Sequence, residues 1–256
     1  MDEKGAFLAP IREALGYPGA EVGAAGECRR LFDRGDDSDI FDRITYRTHV
    51  EKQSLLKLMM ENAVPLNLGV HPVRSFAAAA RAIGDIVSAA CPEFGDTRQI
   101  IQHDDNGIAH LQLWKKFACQ AVTVHTTYQA DMAVREKAIA SYVGITAPRW
   151  AVADSATIVE ITGPGRPRST SLLPSVHIAL LRIEHLLADL GEAYALLRKN
   201  PPQESVVFIS GPSKTADIEA HMVHGAHGPR EMHLVVIDER MTADRNYQGS
   251  GLFPAE

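Results

Sequence analysis

Cysteine is scarce in this 256-residue chain and scattered where it occurs: Cys28, Cys91 and Cys119, with no Cys-x-x-Cys pair. An odd, dispersed set argues against a disulfide framework and makes a reducing cytoplasm the expected compartment. It also cannot supply the four thiolates of a usual iron–sulfur cluster, so no cofactor is expected in this chain. Long apolar runs are missing too. None approaches the roughly 18–20 residues that span a bilayer, and Met1–Ala6 carries Asp2 and Glu3 where a signal peptide would be basic. Basic residues are in the minority, 26 against 32 acidic, for a net charge of −6. That balance, without a basic stripe, disfavours general affinity for nucleic acid or anionic membrane. No GxSxG elbow, HExxH helix, GxGxxG turn or EF-hand loop occurs, so no local pattern points to a hydrolase, a zinc enzyme or a nicotinamide dehydrogenase.

What is present is an ordinary globular composition, 45% hydrophobic, enough to bury a substantial core. Residues 1–39 are rich in Gly, Ala and charge, and read as an N-terminal arm with a short helix near Ala9–Leu15. Residues 40–240 read as one α/β domain, and 241–256 as a C-terminal tail. Ile40, Ile44, Leu55, Leu58, Met59 and Val64 stand at helical spacings, and Ser75–Ala90 reads as a further helix. Short β-like runs follow at Gln99–Ile101, Ala121–Val124, Trp150–Ala153, Ile158–Ile161, His177–Leu181, Val206–Ile209 and Leu234–Ile237. Helix candidates lie at Ile108–Phe117, Tyr128–Tyr142 (capped by Thr127 and stopped before Gly144) and Leu190–Arg198. Such alternation predicts a mainly parallel sheet covered on both faces, with an antiparallel excursion over Trp150–Leu181, where no helix separates the strands.

Four segments carry possible chemistry. In Val206–Glu219 a strand runs into Ser210-Gly211-Pro212-Ser213-Lys214-Thr215 and then an expected helix. Ser213, Lys214 and Thr215 are placed there to hold an anion at a helix start, or simply to cap it. The second, Gly163-Pro164-Gly165-Arg166-Pro167-Arg168, forces a turn and presents two guanidinium groups suited to carboxylate or phosphate; a solvated basic loop is the plainer reading. Third, Asp154-Ser155-Ala156-Thr157 with Glu160 offers a carboxylate at a strand end, either a base or the anchor of an Asx-type turn. Last, His221, His224, His227 and His233 recur closely, but Gly225 and Gly228-Pro229 interrupt any helix that would align them, and no metal site is expected. His227 is the better single candidate, and His177 is either a catalytic or a core histidine.

Three of these stretches together resemble the lactate utilization protein C family, whose shared module is the LUD domain. They are Val143-Gly144-Ile145-Thr146 through Ala153-Asp154-Ser155-Ala156-Thr157; Gly163-Pro164-Gly165-Arg166 through Ser175-Val176-His177; and Ile209-Ser210-Gly211-Pro212-Ser213-Lys214-Thr215-Ala216-Asp217-Ile218-Glu219. The Gly225–Arg230 turn fits as well. The resemblance implies a three-layer α/β/α fold similar to sugar-phosphate isomerases and CoA transferases. It also implies a role in oxidising L-lactate to pyruvate beside partners that carry iron–sulfur clusters. One departure stands out: the family usually has Glu-Thr-Gly-Thr where this chain has Asp154-Ser155-Ala156-Thr157, with Ala in place of a residue free to adopt positive φ.

The resulting expectation is a small-anion site built by Thr157, Arg166, Arg168, Ser210, Gly211, Ser213, Lys214 and Thr215, with Asp154, His177 or His227 as candidate catalytic groups. The alternative is a stand-alone enzyme acting on a phosphorylated or acyl substrate, with Asp154 or Glu160 as base or nucleophile.

Overall fold

The computed structural model describes residues 37–92, 97–118, 120–128, 133–201, 204–216, 222–224 and 227–241. The expected arm up to residue 36, its helix at Ala9–Leu15, His221, and the expected tail from residue 242 lie outside them.

Helix α1 (Ser38–Tyr46) is followed by α2 (His49–Ala63). Thr48 caps α2: its side chain accepts from the Glu51 N–H while the Glu51 carboxylate accepts from the Thr48 N–H, so two helix-start donors are satisfied at once. A 3₁₀ turn, Val64–Leu66, leads into β1 (Leu68–Val73). Helix α3 (Phe76–Ala89) starts where Ser75 accepts from the Ala78 N–H, as its sequence suggests. Then come β2 (Arg98–His103), α4 (Asn106–His110), α5 (Leu113–Lys116), β3 (Val122–Thr127), α6 (Val134–Ala140) and β4 (Val143–Thr146). The second half contains β5 (Trp150–Val152), β6 (Thr157–Ile161), α7 (Ser169–Leu172), β7 (Val176–Arg182), β8 (Leu186–Leu187), α8 (Leu190–Lys199), β9 (Val206–Ile209), β10 (Lys214–Ala216), β11 (Met222–His224) and β12 (Glu231–Ile237).

Six strands form the central sheet, in the order β1-β12-β7-β4-β2-β3, every pair parallel. Along β7, Ile178 and Leu180 face one side while Ala179 and Leu181 face the other, and all are buried. Both faces must therefore be covered. On one, α3, α4 and α5 contribute Ile83, Val87, Ile108, Leu113 and Phe117. On the other lie α2, with Leu56 and Met59, and a four-stranded sheet ordered β8-β5-β6-β9, which contributes Ala151 and Ile158. Helix α8 packs on the outside of that smaller sheet, with Ala193 against Val152, Val159 and Leu187. The architecture is three-layer α/β with a parallel centre, as expected.

Several local expectations are corrected. Thr127 does not cap a helix; it ends β3, and its hydroxyl donates to the Gly165 carbonyl at 2.5 Å. The stretch Ile108–Phe117 is two short helices, broken at Gln112, whose φ is 48°. Gly144 stops no helix. It lies within β4, where a Cβ would stand 1.8 Å from the Thr170 carbonyl oxygen, so a residue without a side chain lets α7 close onto the sheet. The antiparallel excursion is β5 and β6, completed by β9, whereas α7 intervenes before His177–Leu181, which is a central parallel strand. Finally, Lys214–Ala216 is not a helix start but pairs antiparallel with Met222–His224.

Candidate functional site

Parallel strands end together, and ligands of open α/β sheets collect at that carboxyl edge. Here the edge consists of Val73, His103, Thr127, Thr146, Arg182 and Ile237, the last residues of β1, β2, β3, β4, β7 and β12. A pocket of about 220 Å³ opens there. Ala147-Pro148-Arg149 after β4 and Asp105 with Gly107 after β2 form part of its wall. The end of β7 through Arg182, then His185, Phe76, Ile237 and Arg166 complete it. Three guanidinium groups thus meet one carboxylate.

Arg166 reaches this edge because the Gly163–Pro167 loop folds over the strand ends. The Arg166 N–H donates back to the Gly163 carbonyl at 2.9 Å, closing a tight turn. Gly165, with φ +72°, presents its carbonyl to the Asp104 N–H at 3.0 Å as well as to Thr127. A Cβ there would crowd Asp104 at 2.9 Å. The Arg166 guanidinium pairs with the Asp105 carboxylate and donates to the Ala147 carbonyl at 3.3 Å. Arg182 faces Glu239 at 3.0 Å and Glu184 at 3.6 Å, both exposed. Arg149 lies over the Trp150 ring, 5.6 Å from its centroid, and makes no ion pair among the described residues.

Behind the loop sits a buried polar cluster. His177 Nε2 is 2.8 Å from Thr146 Oγ1 and 3.3 Å from Glu160 Oε1, all three side chains being buried. His103 Nε2 donates to the Pro167 carbonyl at 3.4 Å, so the cluster touches the loop that carries Arg166. Burial pushes Glu160 toward its neutral form, but His177 and His103 outweigh it and hold the carboxyl down at about 2. His103 is driven the other way, to about 4, first by burial and then by Arg166 and His177, against the pull of Glu160. Among the described residues, His177 Nδ1, Thr170 Oγ1 and Glu160 Oε1 are buried without a hydrogen-bond partner, the last facing His177 Nε2 at ion-pair distance.

The residues expected to form one notch do not meet. Arg166 is in the carboxyl-edge pocket, whereas Arg168 is exposed beside α7 and its carbonyl accepts from the Ser171 N–H at 3.2 Å. The Ser210–Thr215 turn sits at the opposite, amino edge. There the Ser213 N–H donates to the Pro229 carbonyl at 2.8 Å, Gly211 abuts Leu66, and Lys214 Nζ points to the Pro65 carbonyl at 3.5 Å. Thr157 belongs with this group, its hydroxyl 2.7 Å from that of Ser210. Asp154 is exposed in the turn between β5 and β6, and His227 is exposed before Gly228. Of the histidine run, His221 lies outside the described residues, and His233 Nδ1 meets His71 Nε2 at 3.1 Å. Among the described residues, no group of three or more His, Cys, Asp or Glu is disposed to hold a metal ion.

Sequence reasoning passed over His103, Asp105, Arg149, Arg182 and His185. A signal for the first two was present: His103-Asp104-Asp105 stands at the end of a strand run, where polar residues of a parallel sheet gather at a ligand. Arg149, three residues beyond β4, is the same signal repeated.

A family model described as LUD domain matches residues 56–237. A lactate utilization protein C of Exiguobacterium sp. is 33% identical over 166 residues, which is 60% of this chain and 72% of that protein. One of Halalkalibacterium halodurans is 36% identical over 110 residues, 41% of this chain and about half, 48%, of its own length. A crystal structure of a DUF162 family protein from Deinococcus radiodurans superposes with a TM-score of 0.52 at 16% identity, covering 73% of this chain and 98% of that one. At that identity the likeness speaks for the fold alone. No described helix is long and apolar enough to cross a membrane.

Proposed function

Because this chain belongs to the LUD-domain family, we propose that it is a component of a lactate utilization system that binds a small organic anion at the carboxyl edge of its central sheet. The observation that carries this reading is the pocket walled by Arg149, Arg166 and Arg182. Its volume, about 220 Å³, is below the roughly 300–1,000 Å³ of pockets for drug-sized ligands and suits a short acid such as lactate or pyruvate. Arg149 is the anchor, since Arg166 and Arg182 already face carboxylates of the protein. Guanidinium groups bind carboxylate through paired N–H donors, which favours an acid over a neutral alcohol. Oxidation of L-lactate to pyruvate also releases two electrons. With three dispersed cysteines the chain lacks ligands for a cluster, so those electrons leave through iron–sulfur proteins that act beside it.

Thermal unfolding with lactate, pyruvate and neutral analogues tests the binding step. A ligand at 100 times its Kd stabilises the fold by about 2.7 kcal/mol. The acids are expected to raise the Tm of the wild type and not of Arg149→Ala. Equal shifts in both proteins would place the anion elsewhere. Lactate-dependent dye reduction with the iron–sulfur partners present tests the assembly, and turnover unaffected by omitting this chain would remove it from the reaction.

A further inference from the structure

Among the described residues, the pocket holds one titratable group that is neither an arginine nor an arginine's partner. His185 follows β7 by three residues, in the 3₁₀ turn Ile183–His185, and lines the same wall as Arg149 and Arg182. The charged groups acting on it are Arg149 from the β4–β5 connection, Arg182 at the end of β7, Glu184 beside it in the turn, and Asp105 from the loop after β2. The two arginines oppose a proton on this imidazole, while the two carboxylates favour it. Asp105 is committed to Arg166, and Glu184 to Arg182. Partial desolvation by the pocket walls, then Arg149, lower His185 below the usual histidine range and so favour the neutral imidazole.

An organic anion seated on Arg149 reverses that balance. Its negative charge offsets the guanidinium field that disfavours protonation, and its oxygens offer an acceptor to an imidazolium N–H. We propose that His185 contacts the ligand and takes up a proton as the anion binds, so that this pocket admits an anion and a proton together. This inference rests on the anion-binding reading of the pocket. In the chemistry of that site, a ligand oxygen then faces a histidine that can donate a hydrogen bond or take back a proton. The linkage is reciprocal: whatever protonates His185 tightens the anion, and the anion tightens the proton.

Isothermal titration with pyruvate tests it, in imidazole and in bis-Tris at one pH, two buffers of different ionisation heat that are not themselves anions. Proton uptake makes the apparent binding heat differ between the buffers, and pyruvate affinity falls by up to about tenfold per pH unit as His185 loses its proton. His185→Asn sits on an accessible side chain and keeps the fold. In that variant the buffer dependence and pH dependence are expected to disappear while weaker binding remains. Equal heats in both buffers with pyruvate bound would overturn the inference and leave the pocket assignment standing, as would proton uptake that persists in His185→Asn. If pyruvate fails to bind wild-type protein at any pH, the pocket assignment falls and takes the inference with it.

Discussion

Replacing Glu160 by Gln tests whether the buried cluster behind the pocket is charged in the folded protein. Gln keeps the size of the side chain and mimics a carboxyl that has taken its proton. In the fold Glu160 is held at about 2 instead of 4.5, with 3% of its surface exposed. That depression corresponds to about 3 kcal/mol favouring the ionised form in the native state. Because the folded-state value is the lower one, this stability is present in full above pH 4.5. It is lost as pH falls through 4.5 toward 2, where the wild type is itself protonated. Glu160→Gln is therefore expected to be less stable than wild type by about 3 kcal/mol at pH 7. The gap should close by about 1.4 kcal/mol for each pH unit below 4.5. Urea unfolding of both proteins at pH 7, 5, 4 and 3 measures it. A difference that stays constant over that range would show that Glu160 contributes shape and not charge, and the account of His177 and His103 as its partners would fail.

Three further outcomes follow from other parts of the fold. Ala156 is buried with φ 45°, where a residue with Cβ is strained by about 1–2 kcal/mol. Ala156→Gly should leave stability within about 1 kcal/mol of wild type, because released strain offsets the lost methyl. Ala151→Gly in β5, equally buried, should cost about 1–2 kcal/mol; chemical denaturation compares them, and equal losses would refute the strain. Arg47 donates 3.1 and 2.5 Å hydrogen bonds to the two oxygens of Glu192, which is 1% exposed. Arg47→Met strands that carboxylate and should cost about 3–5 kcal/mol with little dependence on salt, and a loss below 1 kcal/mol would mean that the pair is solvated. His71, lowered to about 4 by burial and by His233, stays neutral while an unfolded histidine takes up a proton below about 6.5. Its contribution is complete above that pH and lost as pH falls toward 4. The Tm of His71→Gln should thus decline less steeply over this interval, and parallel curves would refute it.

The layered fold was legible because its strands announce themselves. Val206–Ile209, a half-buried edge strand of the smaller sheet, is read from sequence to the residue because its apolar run is unbroken. Val176–Arg182 and Glu231–Ile237 are found within a few residues, since central strands buried on both faces read as apolar runs. Leu68–Val73 was missed because Gly69, His71 and Pro72 break that run; its partner β12 supplies the apolar neighbours that make it a strand. Ala156 shows local legibility of a finer kind. It stands where the family pattern usually has Gly, and its backbone keeps a positive φ of 45° despite the Cβ. The site was harder. Glu160 and His177 are 17 residues apart and meet only because β6 lies across β7, and the contact of His103 with Pro167 depends on where the Gly163 loop lands. Such pairings are set by the arrangement of two sheets, which no local spacing encodes.

The misplaced Lys214 turn has a cause of the same kind. The turn follows a strand, and in a parallel sheet the end of a strand is where ligands bind. β9, however, belongs to the smaller sheet, antiparallel to β6. Its chain therefore ends not at the carboxyl edge of the central sheet but beside Leu66 and Pro229, next to the first residues of β1 and β12. The carboxyl-edge rule is a statement about strands that share one direction, and it transfers to a neighbouring sheet only when that direction is shared. β6 is the instructive contrast. It lies in the same small sheet, but it runs toward the carboxyl edge and delivers Gly163–Pro167 there. A single loop thus places Arg166 at the pocket and Pro167 on His103, joining the anion site to the buried charge behind it.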